Sequence, residues 1–117
     1  MSDLKRTSEI KMIIGLDDEN VPVDIKWEAS DDDSQKEAKP CKAMLLSIFD
    51  GETHDTMKID LWTKEMQVVE MDRFIFQTLR AMADTYHRAT QNNKLANDMQ
   101  KFAQYFGEQT ETIPKNE

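Results

Sequence analysis

Few residues in this sequence have both the type and the spacing that catalysis needs. The single cysteine, Cys41, follows Pro40 and has no motif around it that would supply a base. A catalytic thiol needs a base that is itself held by a third group, so the sequence predicts an ordinary free thiol. Phosphate-binding loops need several glycines ahead of a helix, and none of the three glycines opens one. We therefore predict no catalytic residues and no cofactor-binding residues.

The candidate metal ligands are similarly sparse. His54 and His87 are the two histidines, and Asp84 lies three residues before His87, on the same side of a helix. One carboxylate and one imidazole are too few for a specific metal site, so a surface ion pair is the simpler interpretation. The acidic run 31–33 lacks the alternating ligands, the glycine and the closing glutamate of a calcium loop. The sequence predicts no metal site and no enzyme.

The composition limits the classes of partner. The chain has 117 residues, 32% of them charged, and a formal net charge of −8. Such a surface repels phosphate backbones and anionic headgroups, so we expect no nucleic-acid partner and no attachment to a lipid surface. A lone cysteine suits a reducing compartment. The N-terminal residues include no apolar segment of a signal peptide, and no apolar run approaches the length of a bilayer span. We predict a cytoplasmic protein without direct membrane insertion.

Alternating apolar residues in the first half of the chain predict strands. Residues 8–16 alternate with one apolar face and predict a first strand. Residues 21–29 alternate again, with Pro22 near their start, and predict either a short strand or an extended lid. Residues 30–40 are almost entirely polar and predict an acidic mobile loop.

A β-hairpin is predicted by residues 42–49 and 56–62. Pairing Met44 with Leu61, Leu46 with Ile59 and Ile48 with Met57 places six apolar side chains on one face and leaves a loop at residues 51–54. A slip of one residue would oppose apolar and polar positions, so the register is well specified.

Two amphipathic helices follow. Apolar residues recur with a period of 3.6 from Val68 to about Thr90, and again from Leu95 to Phe106. Residues 91–93 break the first helix and supply an N-cap for the second, and Gly107 is placed to end it. The predicted fold is α+β, a small antiparallel β-sheet of three to four strands with two C-terminal α-helices packed on one face.

This fold predicts a single domain over residues 8–107, a disordered N-terminus at 1–7 and a disordered tail at 108–117. The predicted core joins the helices to one face of the sheet. Its sheet residues are Ile10, Met12, Ile14, Met44, Leu46, Ile48, Met57, Ile59 and Leu61.

The opposite face of the hairpin is too apolar for an ordinary solvated surface. It carries Leu45, Phe49 and Trp62, which we interpret as a partner-binding or self-association patch. Trp27, in the preceding segment, either extends this patch or covers it. The sequence leaves both alternatives open.

Several strings in the sequence resemble the family of the gliding motility protein GldC. They are residues 8–10 (SEI), 16–22 (LDDENVP), 25–27 (IKW), 60–66 (DLWTKEM) and 77–91 (QTLRAMADTYHRATQ). The resemblance implies a small protein of gliding bacteria that is encoded with other gliding components, including the lipoprotein GldB, and assists gliding. It implies no enzymatic activity and carries no catalytic residues over to this chain.

The predicted function is therefore a non-enzymatic accessory role in gliding motility through protein–protein contacts. The expected partners are other gliding proteins, with GldB among them, and further copies of the chain. The alternative is a cytosolic chaperone or export-assisting module similar to SecB, which rests on an analogy between folds alone.

Overall fold

The computed structural model describes residues 3–30 and 37–115, in two compact units that divide after Met66. Among these described residues, the first unit holds five strands and the second holds two helices. The elements are β1 (Ile10–Leu16), β2 (Pro22–Ala29), β3 (Lys39–Cys41), β4 (Ala43–Phe49), β5 (Thr56–Trp62), α1 (Val68–Thr90) and α2 (Asn93–Gln109). The α+β class is confirmed. The packing of the helices on a sheet face stays a prediction.

The first sheet has the order β1-β2-β3 and is antiparallel throughout. Its central strand, β2, is the segment for which the sequence left a strand or a lid open, and it is a strand. Ile25 lies in the middle of β2, opposite Ile14 on one side and Cys41 on the other, and is fully buried. Pro22 is the first residue of β2 and lies beside a register shift at Leu16. Proline has no backbone N–H to donate to the neighbouring strand, and this is tolerated at the start of a strand.

The turn between β1 and β2 is organised by Asp17. Its carboxylate accepts hydrogen bonds from the backbone N–H groups of Glu19 (2.8 Å) and Val21 (3.0 Å), and it forms an ion pair with Lys64. Because Lys64 follows β5, this pair ties the first sheet to the end of the hairpin. The hydrogen bond and charge of Lys64, together with the two backbone donors, lower the pKa of Asp17 to about 2.

We expect Asp17→Asn to lower stability at neutral pH and to lose this effect in acid. The folded-state pKa lies below the ordinary value of 3.8, so the stabilisation is complete above about pH 4 and disappears as the pH falls through about 2. Urea unfolding midpoints of the wild type and the variant between pH 2 and 7 measure this difference. The Lys64→Met background is the control, in which the difference should shrink. A stability difference between the wild type and Asp17→Asn that stays constant down to pH 2 would contradict the lowered pKa of Asp17.

The second sheet is the β4–β5 hairpin, and its predicted register is confirmed. Met44 pairs with Leu61, Leu46 with Ile59 and Ile48 with Met57. The predicted four-residue loop also forms. The Asp50 N–H donates to the Asp55 carbonyl oxygen (2.9 Å), and the His54 N–H donates to the Asp50 carbonyl oxygen (3.1 Å).

The prediction of one sheet with three to four strands is wrong in its arrangement, because five strands form two sheets. The chain bends at Lys42, between β3 and β4, so these strands belong to different sheets. The strand β3 falls at the end of the segment predicted as an acidic loop. Three residues are too few to show an alternation, so β3 is recognisable only from its pairing with β2. Residues 31–36 of the predicted loop lie outside the described residues.

Most of the hairpin residues that were predicted to lie in the core are exposed in the structure. The Leu46 face of the hairpin consists of Met44, Leu46, Ile48, Met57, Ile59 and Leu61. Only Met44 and Leu61 are partly buried, and the other four side chains are 39–60% exposed. Ile10 of β1 is exposed as well, whereas Met12 and Ile14 are partly buried. Alternation shows which residues share a face, but both faces of β4 are apolar, so it could not show which face is covered.

The helices begin and end close to the predicted residues. At the start of α1, the Gln67 N–H donates to the Glu70 carboxylate (2.9 Å) in a capping box, and Gln91 ends the helix with a left-handed backbone at φ 60°. The side chain of Asn92 accepts from the Leu95 N–H (3.1 Å), as an N-cap of α2 does. Both breaks therefore have a local hydrogen-bonding cause.

Small residues allow the two helices to approach closely. The fully or nearly buried residues of this unit are Phe76, Ala83, Ala96, Ala103 and Gly107. A Cβ atom on Gly107 would lie 2.6 and 2.8 Å from two ring carbons of Phe76 and 2.9 Å from Ile113. The prediction that Gly107 ends α2 is wrong, because the helix continues to Gln109 and the Gly107 carbonyl accepts from the N–H groups of Thr112 and Ile113. The glycine is required by packing instead.

Candidate interaction surface

The Trp62 face of the hairpin carries the residues that the sequence nominated for partner binding. It consists of Ala43, Leu45, Ser47, Phe49, Thr56, Lys58, Asp60 and Trp62. Leu45 is 41% exposed, Trp62 is 53% exposed and Phe49 is 65% exposed. Trp62 pairs with Ala43, diagonal to Leu45, which is within the reach of an indole ring.

This face is divided by charge. Asp60 lies opposite Leu45, Lys58 lies opposite Ser47, and the two charged groups form an ion pair of 3.3 Å. Phe49 lies beyond them at the loop end, where its ring stacks on His54 with the centroids 5.8 Å apart. The three nominated side chains therefore form two small apolar groups on either side of an ion pair.

The Leu46 face is apolar without interruption. None of its six residues is charged or polar, and its exposed members are two cross-strand pairs, Leu46 with Ile59 and Ile48 with Met57. Soluble monomers rarely expose large contiguous apolar patches, and those that do usually bind something there. The structure therefore adds a second candidate surface, which sequence reasoning assigned to the core. The signal available in the sequence was the apolar character of both faces of β4.

Trp27 lies in the first sheet and not in the hairpin. Its register partners are Met12 in β1 and Lys39 in β3, and its side chain is partly buried. The segment that contains it is a central strand. Any part that Trp27 has in partner binding would come from the first sheet.

The residues considered for chemistry in the sequence are Cys41, in the strand unit, and Asp84 and His87, in the helical unit. Cys41 is partly buried at the end of β3, and burial raises the pKa of its thiol, which keeps the sulfur protonated and weakly nucleophilic at neutral pH. Among residues 3–30 and 37–115, no group of three or more potential metal ligands comes together. Asp84 does not pair with His87 as expected, since it binds Arg88 at 3.0 Å and the His87 ring contacts Asn93.

A cleft of about 300 Å³ lies beside His87 in the helical unit. It is lined by Ala83, Asp84, His87, Asn93, Ala96, Asn97 and Gln100. Both of its ionisable side chains have partners in the same unit, Asp84 with Arg88 and His87 with Asn93.

Two of the strings that resemble GldC, residues 60–66 and 77–91, have structural roles here. In the first, Thr63 is buried, its N–H donates to the Lys42 carbonyl (2.8 Å), and Lys64 binds Asp17. The second string ends α1, where the Thr90 hydroxyl donates to the Tyr86 carbonyl (2.8 Å). These contacts hold elements of the fold in place.

Within the described residues, neither helix has a stretch long and apolar enough to cross a bilayer. The fold and its surfaces thus define a small α+β protein with an exposed apolar hairpin. The chain belongs to the GldC-like family, because the family model described as gliding motility-associated protein GldC-like matches residues 22–112. No curated protein and no solved structure gives a match. The chain is a gliding motility-associated protein, and its family is not a known enzyme family.

Proposed function

We propose that this protein is a non-enzymatic accessory component of the gliding machinery that acts by binding another protein through its hairpin. The observation that carries the proposal is the exposure of large apolar side chains on both hairpin faces. The partner-binding residues are Leu45, Phe49 and Trp62 on one face, joined by the exposed residues of the Leu46 face. Trp27 is a contributor from the first sheet. The protein acts in the cytoplasm on other gliding proteins, and GldB is the first to test.

Simple energetics support contact with a protein partner. Covering the exposed half of a leucine, isoleucine or methionine side chain contributes about 1 kcal/mol from apolar area alone. Four such side chains on the Leu46 face, with Trp62 and Phe49 behind them, are enough for a central apolar contact. The acidic remainder of the surface would form the polar rim that excludes mismatched partners.

The test compares Trp62→Lys and Ile59→Lys, one substitution for each face. Affinity capture from native cells, read by mass spectrometry, is expected to lose gliding components with at least one of them. A buried lysine costs at least tenfold in affinity, which is about 1.4 kcal/mol. Leu4→Lys is the control, because it also replaces an exposed apolar side chain with lysine, but outside the hairpin.

Both variants should keep the far-ultraviolet circular dichroism and the unfolding midpoint of the wild type, because both side chains are about half exposed. If Trp62→Lys unfolds the protein, Trp62 belongs to the core and its role in binding is wrong. If gliding components are never captured by the wild type, the accessory role loses its support.

The uninterrupted Leu46 face also favours a second candidate function, an export-chaperone-like module that holds unfolded clients. Met44 and Met57 give this face flexible side chains that adapt to different sequences. Suppression of the aggregation of a heat-denatured client is the test. A chaperone would protect unrelated clients and lose the effect in Ile59→Lys, whereas an accessory protein would protect none.

A further inference from the structure

The strand β4 has an open and unprotected edge. Among the described residues it pairs with β5 alone. Its seven residues, AMLLSIF, include no charge and no proline, which are the usual devices that keep an edge strand from pairing. In β5, by contrast, Lys58 and Asp60 are charged.

The hydrogen-bond pattern shows which backbone groups face that edge. The Asp50 N–H donates to the Asp55 carbonyl at one end of the ladder, and the Thr63 N–H donates to the Lys42 carbonyl at the other. Hydrogen-bonded pairs alternate along an antiparallel ladder, so the even-numbered residues of β4 bond to β5. The N–H and C=O groups at the outer edge are those of Ala43, Leu45, Ser47 and Phe49.

We infer that β4 pairs with β4 of a second copy, antiparallel about a two-fold axis at Leu46, to form the four-stranded sheet β5-β4-β4-β5. In this register Leu45 lies opposite Ser47 of the second copy, and Ala43 lies opposite Phe49 of the second copy. The outward groups of β4 then form about six hydrogen bonds across the axis, because the Ala43 N–H of each copy already bonds to the Cys41 sulfur. The whole of β4 overlaps with itself, since Leu46 is its central residue.

Charge complementarity selects both the register and the occupant. With the axis at Leu46, Lys42 lies opposite Asp50 of the second copy, and the symmetry repeats this pair at the other end of the strand. Moving the axis to Ser47 would place Asp50 opposite Met44, and moving it to Leu45 would place Lys42 opposite Ile48. Both pairs occupy non-hydrogen-bonded positions, where opposing side chains are closest.

The state of Asp50 supports this pair. Its carboxylate accepts from the N–H groups of Thr53 (2.7 Å) and Glu52 (3.0 Å), and these hydrogen bonds lower its pKa. The side chain is therefore a stable anion at the end of β4.

The second copy also removes a weakness of the hairpin. An isolated two-stranded sheet is marginally stable in water, and three or more strands with a covered face are needed for independent stability. Self-pairing supplies four strands and brings two Leu46 faces together as one larger apolar surface. The inference does not depend on the proposed function, since self-pairing and the binding of another protein are measured separately.

The first experiment is sedimentation equilibrium of the full chain across a wide concentration range. The wild type is expected to dimerise, and Ser47→Pro is expected to weaken the dimer at least tenfold. Proline removes an N–H that faces the open edge, while the ladder with β5 keeps all its bonds. Thr56→Pro is the matched control, because its N–H faces the other edge of the hairpin, and it should dimerise like the wild type.

The second experiment tests the register by oxidation. In a Cys41→Ser background, Leu46→Cys should form a disulfide-linked dimer, because the two residues face each other at about 4.5 Å between Cα atoms. Ser47→Cys is the control and should not, because its Cα atoms would lie beyond the roughly 7 Å limit of a disulfide. The inference would be overturned if the wild type stays monomeric, or if Ser47→Pro leaves the dimer unchanged. It would also be overturned if Ser47→Cys forms the disulfide-linked dimer and Leu46→Cys does not.

Discussion

Replacing Ile25 with alanine is expected to lower the free energy of unfolding of the strand unit by about 2–5 kcal/mol. Ile25 has no exposed surface, and it lies in the central strand between Ile14 and Cys41. Removing three carbon atoms there loses their transfer free energy and leaves a cavity that the neighbouring strands cannot close. A domain of ordinary stability, about 5–15 kcal/mol, would keep little margin.

Urea unfolding followed by tryptophan fluorescence measures this loss, because Trp27 and Trp62 are both in the strand unit. Val23→Ala is the matched control. It shortens another β-branched residue of the same strand, but Val23 is 46% exposed, and a cost below about 1 kcal/mol is expected. Equal losses in the two variants would show that burial at Ile25 is not what stabilises the sheet.

Replacing Gly107 with alanine is expected to destabilise the helical unit by about 1–3 kcal/mol, against the usual direction of this substitution in a helix. Alanine favours the helix by about 1 kcal/mol over glycine. Here the new methyl group would lie within 3 Å of Phe76 and Ile113, and Phe76 is nearly fully buried. The ring or the helix has to shift to admit the methyl group, and we expect the steric cost to exceed the gain in helix propensity.

Thermal unfolding monitored by circular dichroism at the helical minimum measures this effect. Gly51→Ala is the matched control, because a Cβ atom there meets nothing within 4 Å, and a change within about 0.5 kcal/mol is expected. Gly107→Ala in a Phe76→Leu background should cost less, since the smaller side chain removes the ring that the methyl group meets. A stabilised Gly107→Ala variant would show that the helices are not in close contact at this point.

The two faces of the hairpin differ in what they offer a partner. The Trp62 face presents aromatic groups on either side of an ion pair between Lys58 and Asp60, which suits a partner with matching polar groups. The Leu46 face has no polar or charged side chain that would orient a partner. Loss of binding in Trp62→Lys alone would therefore indicate a contact with matching polar groups. Loss of binding in Ile59→Lys alone would indicate a general apolar contact.

Local patterns were sufficient for the first strand, for both helices and for the hairpin. The pairing of Leu46 with Ile59 follows from alternation together with loop length, because a slip of one residue would oppose apolar and polar side chains. The break between the helices follows from Asn92, whose side chain replaces a missing backbone acceptor within three residues. In both cases the interacting groups are close in sequence, so the sequence shows them together.

Other features depend on residues that are distant in the chain. The close approach that requires Gly107 depends on a ring 31 positions earlier in the sequence, at Phe76. The ion pair of Asp17 with Lys64 and the short strand β3 likewise appear only when the first sheet is assembled. Such contacts have no periodicity, and the residue types alone do not specify them.

The sequence by itself determined the first strand, the hairpin and its register, the presence of both helices and the membership of the GldC-like family, because each of these is recorded in neighbouring residues or in contiguous strings. Only the tertiary structure decided that five strands form two sheets and that the Leu46 face is exposed. A period of two assigns side chains to faces, and whether a face is covered depends on which distant segment packs against it.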